Sequence, residues 1–334
     1  LRGQLLLVRE DEAGRVLDAT ALQTPGVLDD LYAAADTVTL GAHRYGQPAI
    51  SGSIALDFAT RFALWAPTAR AVAVCLYSND TRALPARQDE TSGVWTLDLP
   101  GALHGQRYAY LVDVFVPGVG IVRNRATDPY SVGLTADSKR SVVLDLDNAS
   151  TKPEGWDTAV RPAPLASPTD MTIYELHVRD FSIADKTVRP AWRGKYLAFT
   201  EADAAGMRHL RGLGDAGMTD VHLLPVFDIA TVPERDCATP AIPAAAPDSE
   251  AQQAASSAVA AKDCFNWGYD PYHFTVPEGS YSTQPDGPAH IRELREMVAA
   301  LNRLGQRVVM DVVYNHTFAA GQHAQSVLDR IVPG

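Results

Sequence analysis

The sequence has 334 residues, of which 46% are hydrophobic and 21% charged, an ordinary composition for a globular protein. This length allows two or three domains that each bury a core. The formal charge of −11, without a basic cluster, argues against nucleic acid and anionic membranes as partners. No apolar run reaches the roughly 18 residues that a membrane-spanning helix needs.

The first 50 residues contain too few elements for a domain. A short strand is predicted at residues 4–8 and a short helix at about residues 25–35. The chain starts with Leu1 rather than Met, shows no secretory leader and stops without a capping element. We therefore expect both ends to be cuts in a longer chain, and residues 1–50 to be the tail of an upstream module and a linker.

Residues 51–150 change to short apolar runs with a period of two. The runs lie at residue 58 and at residues 61–65, 71–77, 94–97 and 108–112. Several short strands at this spacing predict an all-β, immunoglobulin-like sandwich. The proline-rich residues 151–168 that follow are predicted to be a linker.

From residue 169 onwards, strand and helix patterns alternate. Strands are predicted at residues 171–176, 221–225 and 308–313. One helix is predicted from an N-cap at Thr200 to about Leu213, and a second from near Pro288 to a stop at Gly305. This order predicts a parallel sheet whose neighbouring strands are joined by right-handed crossovers.

A long excursion, residues 226–287, leaves the C-terminal end of the second strand. Its alanine-rich part after Pro247 is predicted to form one helix. Cys237 and Cys264 bracket this insertion, whereas Cys75 lies in an apolar run and is predicted to be a buried thiol. Two cysteines do not make a zinc site, so Cys237 and Cys264 are either free or bonded to each other. A disulfide would indicate an oxidising compartment.

Four segments carry the functional signal. They are residues 174–182 (YELHVRDFS), 217–227 (GMTDVHLLPVF), 266–283 (NWGYDPYHFTVPEGSYST) and 311–317 (DVVYNHT). Together they resemble glycoside hydrolase family 13, the alpha-amylase superfamily, and within it the pullulanase and limit-dextrinase branch. Residues 62–67 (FALWAP) and 128–130 (DPY) resemble carbohydrate-binding module family 48. The resemblance covers residues 50–334 and implies that residues 169–334 are the first part of a (β/α)8 TIM barrel.

The resemblance implies a debranching enzyme that hydrolyses α-1,6-glucosidic linkages in pullulan, amylopectin or limit dextrins. Retaining hydrolysis needs a carboxylate nucleophile and a carboxylic acid about 5 Å apart. In this superfamily both follow later barrel strands, so we assign no catalytic residue within the chain and expect the pair beyond residue 334. The chain alone is then expected to be inactive. A glucan branching enzyme and a non-catalytic glucan-binding fragment are the alternatives.

The resemblance also implies a substrate-binding set. Tyr269 would stack on the glucose beside the scissile bond, and Asp311 and His316 would hold the same sugar. The remaining candidates are Trp267, Asp270 and Asn315. Two of these have a structural alternative: packing for Trp267, and a structural hydrogen bond or a calcium contact for Asn315.

The remaining interpretations concern side chains outside this set, the molecules that the protein binds, its oligomeric state and its location. His177 and Arg179 are interpreted as a structural polar network, and Trp65 and Trp95 as sandwich core. The expected partner is an α-glucan; no cofactor is needed for the chemistry, although a structural Ca²⁺ ion is allowed. The oligomeric state stays open. An extracellular or periplasmic location is expected, with a cytoplasmic one as the alternative.

Overall fold

The computed structural model describes residues 2–22, 25–46 and 59–333. The chain divides into two compact units. The first unit comprises Leu1–Ser131 together with Ala319–Gly334, and the second comprises Val132–Phe318.

The first unit contains ten strands and one helix among its described residues. They are β1 (Leu6–Glu10), β2 (Val16–Ala21), α1 (Pro25–Leu31), β3 (Gly41–Tyr45), β4 (Ala59–Trp65), β5 (Ala71–Tyr77), β6 (Arg82–Pro85), β7 (Arg87–Gln88), β8 (Val94–Pro100), β9 (Arg107–Val116) and β10 (Gly120–Ala126). β1 and β2 form an antiparallel hairpin. A 3-10 helix, Ala33–Thr37, follows α1. The strand and helix predicted in the first 50 residues are therefore present, with β1 two residues later than predicted and α1 ending at Leu31.

Strands β3 to β10 build two antiparallel sheets. One has the order β3-β4-β8-β7 and the other the order β10-β9-β5-β6. Alternate side chains of β4 and β9 point inward, and the rings of Phe62 and Tyr108 meet edge to face at 4.9 Å between the sheets. The Tyr108 hydroxyl donates to the fully buried Asp128 carboxylate at 2.7 Å. The predicted two-layer β architecture is confirmed.

The domain boundaries differ from those predicted. β3 pairs with β4 from Gly41↔Ala63 to Tyr45↔Ala59, so the sandwich begins before residue 51. The boundary itself and the run at Phe58 lie outside the described residues. The units change at residue 131 rather than 150, which places residues 151–168 inside the second unit. The short, half-polar sequence of β3 carries too weak an alternation to be recognised as a strand.

The second unit contains six strands and four helices among its described residues. They are β11 (Ser141–Val142), β12 (Ile173–Leu176), α2 (Val178–Ser182), α3 (Ala205–Asp215), β13 (Asp220–Leu223), β14 (Phe227–Ile229), α4 (Ala251–Ser257), β15 (Pro271–Pro277), α5 (Ala289–Arg303) and β16 (Arg307–Met310). Short 3-10 helices lie between these elements. The alanine-rich helix predicted after Pro247 is α4.

The parallel sheet has the predicted order, β12-β13-β16. Tyr174 pairs with Val221, and Val221 pairs with Val308, so all three strands run in the same direction. Each strand is one or two residues shorter than predicted, and the differences lie at either end. The described residues contain this three-stranded sheet and no closed barrel. The predicted right-handedness of the crossovers stays a prediction.

The predicted start of the first helix is wrong. Thr200 ends a 3-10 helix, Tyr196–Thr200, and its hydroxyl donates to the Leu197 carbonyl at 2.7 Å, so it does not cap α3. α3 begins at Ala205, whose N–H donates to the Thr187 hydroxyl at 2.7 Å. The cap therefore comes from a side chain 18 residues away in the sequence. α5, in contrast, follows Pro288 and ends before Gly305, as predicted.

Cys237 and Cys264 form a disulfide with a Cα–Cα distance of 5.0 Å, and Cys75 is a buried free thiol. The pairing inferred as one of two alternatives from the sequence is therefore confirmed. Two backbone hydrogen bonds close the same loop, from Ala238 N–H to Lys262 O and from Cys264 N–H to Ala238 O. The insertion is thus held at its base by covalent and hydrogen bonds together.

We predict that a non-reduced proteolytic digest of the oxidised protein yields Cys237 and Cys264 in one linked pair of peptides. Replacing both by Ser should lower the free energy of unfolding by about 3 kcal/mol, because the unfolded chain regains the entropy of an open loop of 27 residues. Mass spectrometry checks the bond and urea unfolding checks the energy, with Cys75→Ser as the single-thiol control. Detection of both cysteines as free thiols in the oxidised protein would contradict the pairing.

Candidate functional site

The parallel register brings the ends of β13 and β16 together. The N–H of Asp311, directly after β16, donates to the carbonyl of Leu223 at the end of β13 at 3.0 Å. The Asp311 carboxylate then accepts the Tyr269 hydroxyl at 2.5 Å. His316 Nε2 lies 2.9 Å from the Tyr269 carbonyl oxygen. The convergence of these three side chains is confirmed, although more than 40 residues separate Tyr269 from the others.

His316 is held through both ring nitrogens. Because the Tyr269 carbonyl can only accept, His316 Nε2 carries a proton and donates. His316 Nδ1 lies 2.9 Å from the Asn315 side-chain oxygen. Asn315 therefore orients His316 from the side opposite Tyr269.

Tyr269 is half-exposed, with 37% of its surface accessible, so one part of its ring faces solvent. The hydrogen bond to the Asp311 carboxylate raises the pKa of Tyr269 to about 12, with smaller contributions from burial and from the charge itself. The hydroxyl consequently remains a donor at neutral pH. The ring is held at its hydroxyl by Asp311 and at its backbone carbonyl by His316.

The turn before Tyr269 requires a glycine. Gly268 has a φ of +98°, and a Cβ there would lie 2.8 Å from Pro225 Cβ. Asn266 stabilises the turn, because its side-chain oxygen accepts the Gly268 N–H at 2.8 Å. The backbone of the NWGYD segment is therefore fixed before any ligand binds.

Asp270 lies next to Tyr269 but belongs to a different contact set. Its carboxylate accepts the Thr231 hydroxyl and the Asn266 amide, each at 2.8 Å, and its carbonyl accepts the Ala230 N–H at 3.0 Å. Asp270 is thus engaged in holding the loop that carries Tyr269. The structure does not bring its carboxylate into a hydrogen bond with Tyr269, Asp311 or His316.

Trp267 projects from the same loop with 59% of its surface exposed, and its ring meets Phe265 edge to face at 5.7 Å. Packing therefore covers only a minor part of it. His177 is buried beneath the loop, with Nε2 2.9 Å from the Asn266 carbonyl and 3.1 Å from the Tyr281 hydroxyl. The interpretation of His177 as part of a structural polar network is confirmed.

A largely buried group of carboxylates was not recognised from the sequence. Asp228, Glu234 and Glu278 place carboxylate oxygens within 4.8 Å of one another. Asp228 accepts from the Ser138 hydroxyl at 2.7 Å and lies 2.6 Å from His273 Nδ1. The Glu278 oxygens accept the N–H groups of Ser280 and Ile229. Glutamates in a long loop usually face solvent, so nothing in the local pattern predicts this cluster.

Burial and mutual repulsion dominate the electrostatics of the cluster. Burial raises the pKa of Glu234 to about 9, and the charges of Glu278 and Asp228 raise it further. Burial also raises the pKa of Glu278 to about 7, again with a contribution from Asp228. Hard oxygen ligands of this kind are what Ca²⁺ prefers, so the three residues fit a calcium ion chemically.

We predict that, in the presence of a chelator, the free energy of unfolding falls as pH rises from about 5 to about 9. Glu234 and Glu278 keep protons in the folded chain that the unfolded chain has already released, so each increment of pH favours unfolding. Lys195, Asp137 and His290 also face the cluster. Urea unfolding over this pH range measures the slope.

The matched variants for this measurement are Glu234→Gln and Glu154→Gln. Glu234→Gln should flatten the slope because one buried titrating group is removed. Glu154 is exposed and lies outside the cluster, so its variant should leave the slope unchanged. A wild-type stability that stays constant or increases from pH 5 to pH 9 would contradict the burial of these carboxylates.

Two segments of the chain match known protein families, and the whole chain is similar to known pullulanases. Residues 39–131 match carbohydrate-binding module 48 (isoamylase N-terminal domain), and residues 1–30 match the pullulanase N2 domain. The chain is 43% identical over 345 residues to pullulanase 1, chloroplastic, of Arabidopsis thaliana and 39% identical over 380 residues to the pullulanase of Klebsiella pneumoniae. Each alignment covers 100% of this chain and 34% of the relative.

The resemblance to pullulanases is confirmed. The crystal structure of ligand-free pullulanase from Klebsiella pneumoniae superposes with a TM-score of 0.90 at 37% identity, covering 99% of this chain and 35% of that one. A maltotriose complex of the Klebsiella pneumoniae pullulanase superposes with a TM-score of 0.88. The chain thus spans about a third of the length of the curated pullulanases that it matches. Among its described residues, no helix has the length and apolarity required to cross a bilayer.

Proposed function

We propose that this chain is part of a debranching glycoside hydrolase that cleaves α-1,6-glucosidic linkages in pullulan, amylopectin or limit dextrins. The observation that carries the proposal is the hydrogen-bonded group of Tyr269, Asp311 and His316 at the carboxyl ends of two parallel strands. Barrel enzymes place their substrate sites at that face of the sheet. The similarity to pullulanases along the whole chain supports the same reaction class.

Each member of the group has a distinct role in holding a glucose ring. The face of Tyr269 covers the apolar C–H surface of the sugar, since aromatic rings supply apolar contact area with one polar end. Asp311 accepts hydrogen bonds from sugar hydroxyls with the lone pairs that Tyr269 leaves free. Asn315 and His316 keep Tyr269 in position. Trp267, exposed on the same loop, extends the aromatic surface along the glucan, whereas Asp270 supports the loop.

The nucleophile and the acid of a retaining glycosidase lie outside this group in our proposal. Asp311 is hydrogen-bonded to Tyr269, and Asp270 to Thr231 and Asn266, so neither carboxylate is presented as a nucleophile. We infer that β12, β13 and β16 begin a (β/α)8 barrel whose later strands carry the catalytic carboxylates. The chain alone then binds glucan without hydrolysing it.

Debranching is preferred to glucan branching for a specific reason. The curated relatives include several pullulanases and a glycogen debranching enzyme from Yersinia pseudotuberculosis, which is 28% identical over 296 residues. These names describe removal of branches from α-glucans. The disulfide between Cys237 and Cys264 supports export to an extracellular or periplasmic compartment, where such bonds persist.

We also propose a structural Ca²⁺ ion at Asp228, Glu234 and Glu278. The support is the charge of two buried carboxylates and one half-buried carboxylate within 4.8 Å of one another. Ca²⁺ takes six to eight oxygen ligands, so carbonyl groups or water would complete the set. The ion would hold together β14, the loop at Glu234 and the end of β15.

We predict that the chain binds maltotriose near Trp267 and releases no reducing sugar from pullulan. Tyr269→Ala should weaken maltotriose binding at least tenfold because the stacking surface is lost. The ¹⁹F NMR signal of Trp267 in protein labelled with 5-fluorotryptophan, assigned with Trp267→Phe, reports binding at this site. Tyr314→Ala is the matched control, since Tyr314 is 73% exposed and lies outside the hydrogen-bonded group.

Two results would contradict this prediction. One is pullulan hydrolysis that is abolished by a substitution within the chain, which would place the catalytic carboxylates among these residues. The other is a maltotriose response of Trp267 that is the same in Tyr269→Ala as in the unaltered protein.

For the metal, we predict that millimolar Ca²⁺ raises the thermal unfolding temperature and that a chelator reverses the effect. Ligands that bind only the folded state stabilise it by mass action. Glu234→Gln should abolish the increase by removing one negative ligand, whereas the exposed Glu154→Gln should retain it. Equal unfolding temperatures with Ca²⁺ and with chelator would contradict the calcium site.

A further inference from the structure

Trp267 is the only exposed residue among the five tryptophans, all of which lie in the described part of the chain. Trp95 is 8% exposed and donates its Nε1–H to the Ala66 carbonyl at 2.9 Å, which confirms its interpretation as sandwich core. Trp65 is only half-buried. Trp267 is 59% exposed, so the position of its ring is not fixed by burial in a core.

Phe265 supplies the aromatic contact of Trp267 within the described ranges. The two rings meet edge to face, with 5.7 Å between their centroids and 73° between their planes. This is the arrangement in which the edge of one ring is attracted to the face of another. Gly268 fixes the backbone on the other side of Trp267, as described above. Phe265 and this turn therefore set the direction in which the Trp267 ring points.

The ring of Phe265 is held by residues that follow the first parallel strand, β12. It packs against the buried His177 ring at 5.2 Å, and the Arg179 guanidinium lies over it at 5.8 Å. His177 is itself fixed from two sides. Its Nδ1 accepts the Asp180 N–H at 3.3 Å at the start of α2, and its Nε2 lies 2.9 Å from the Asn266 carbonyl oxygen. Phe265 thus connects Trp267 to a buried and hydrogen-bonded part of the unit.

The backbone of Phe265 is fixed as well. Cys264, directly before it, is bonded to Cys237, and the Phe265 N–H donates to the Asp263 carboxylate at 3.2 Å. Both the ring and the backbone of Phe265 are therefore in place before a ligand binds. An aromatic surface that is already held in one direction loses less side-chain entropy when a ligand covers it, and this increases the affinity.

We propose that Phe265 is a positioning residue that holds Trp267 as a second aromatic surface for α-glucan beside Tyr269. The inference rests on the proposed function, in which Tyr269 covers one glucose unit. Trp267 lies two residues before Tyr269 on the same turn, so its ring can cover the part of the glucan that extends beyond that glucose. Phe265 itself does not touch the sugar in this proposal and acts only through Trp267.

The test is a double-mutant cycle in the 334-residue chain, with maltotriose as the ligand. Labelling with 3-fluorotyrosine lets the ¹⁹F signal of Tyr269, assigned with Tyr269→Phe, report binding whether or not Trp267 is present. Phe265→Leu keeps an apolar side chain but removes the ring, and it should weaken maltotriose binding at least threefold. In the Trp267→Ala background the same substitution should weaken binding less than 1.5-fold, because the ring that Phe265 positions is absent.

Three further variants separate positioning from a general effect on the fold. Phe265→Tyr keeps the ring and should bind maltotriose as the unaltered protein does. Phe181→Ala is the matched control, since Phe181 is also half-buried in the second unit but stacks on Phe199 at 4.4 Å; it should leave the affinity unchanged. Phe265→Met provides a second cycle if Phe265→Leu fails to fold.

Two results overturn the proposal. One is an equal loss of affinity from Phe265→Leu with and without Trp267, which would mean that Phe265 acts on the loop as a whole. The other is an unchanged affinity in Phe265→Leu. Failure of the proposed function gives a different result, because the Tyr269 signal of the unaltered protein then does not respond to maltotriose at all, and the role of Phe265 is overturned with it.

Discussion

The hydrogen bond from the Asp311 N–H to the Leu223 carbonyl fixes the parallel register on which the candidate site depends. A slip of one residue between β13 and β16 would move the two strands by about 3.3 Å and would turn Asp311 to the opposite face of the sheet. Tyr269 could then no longer reach it. The 2.5 Å contact between two side chains of distant loops is thus a consequence of backbone pairing deep in the unit, and not of local loop structure.

The cluster of Asp228, Glu234 and Glu278 is a second constraint. Gly279 shows how closely the groups approach, since a Cβ at that position would lie 2.2 Å from Glu234 Oε1. Any larger residue would force Glu234 away from Glu278 and Asp228. Protons or a cation must compensate the charge of carboxylates that lie this close together and are largely withdrawn from solvent. Backbone contacts connect the cluster to the segment that carries Tyr269, since the Ile229 N–H donates to Glu278 and the neighbouring Ala230 N–H donates to the Asp270 carbonyl.

The sequence predicts those features whose physical cause is local or shared with a family motif. Strand order follows from three compact apolar runs, and the meeting of Tyr269 with His316 follows from parallel strands ending at one edge. The sequence does not predict features that depend on contacts between residues far apart in the chain. Thr200 has the residue type of a helix cap, but Thr187 occupies that position from another loop. The sequence around Glu234 is typical of a solvent-exposed loop. No sequence pattern indicates that the buried Trp65 N–H has no hydrogen-bond partner among the described residues.

The disulfide-closed insertion has a consequence for how this fold can change in evolution. The helix α4 within it buries none of its residues, and the loop is closed at its base by Cys237 and Cys264, just before the NWGYD turn. Residues can therefore be added or removed between the cysteines without moving Tyr269. Lengthening a flexible closed loop costs little free energy, since each doubling of the loop length adds only about 0.6 kcal/mol of closure entropy. The insertion is thus a place where new surface can be acquired while the group of Tyr269, Asp311 and His316 keeps its geometry.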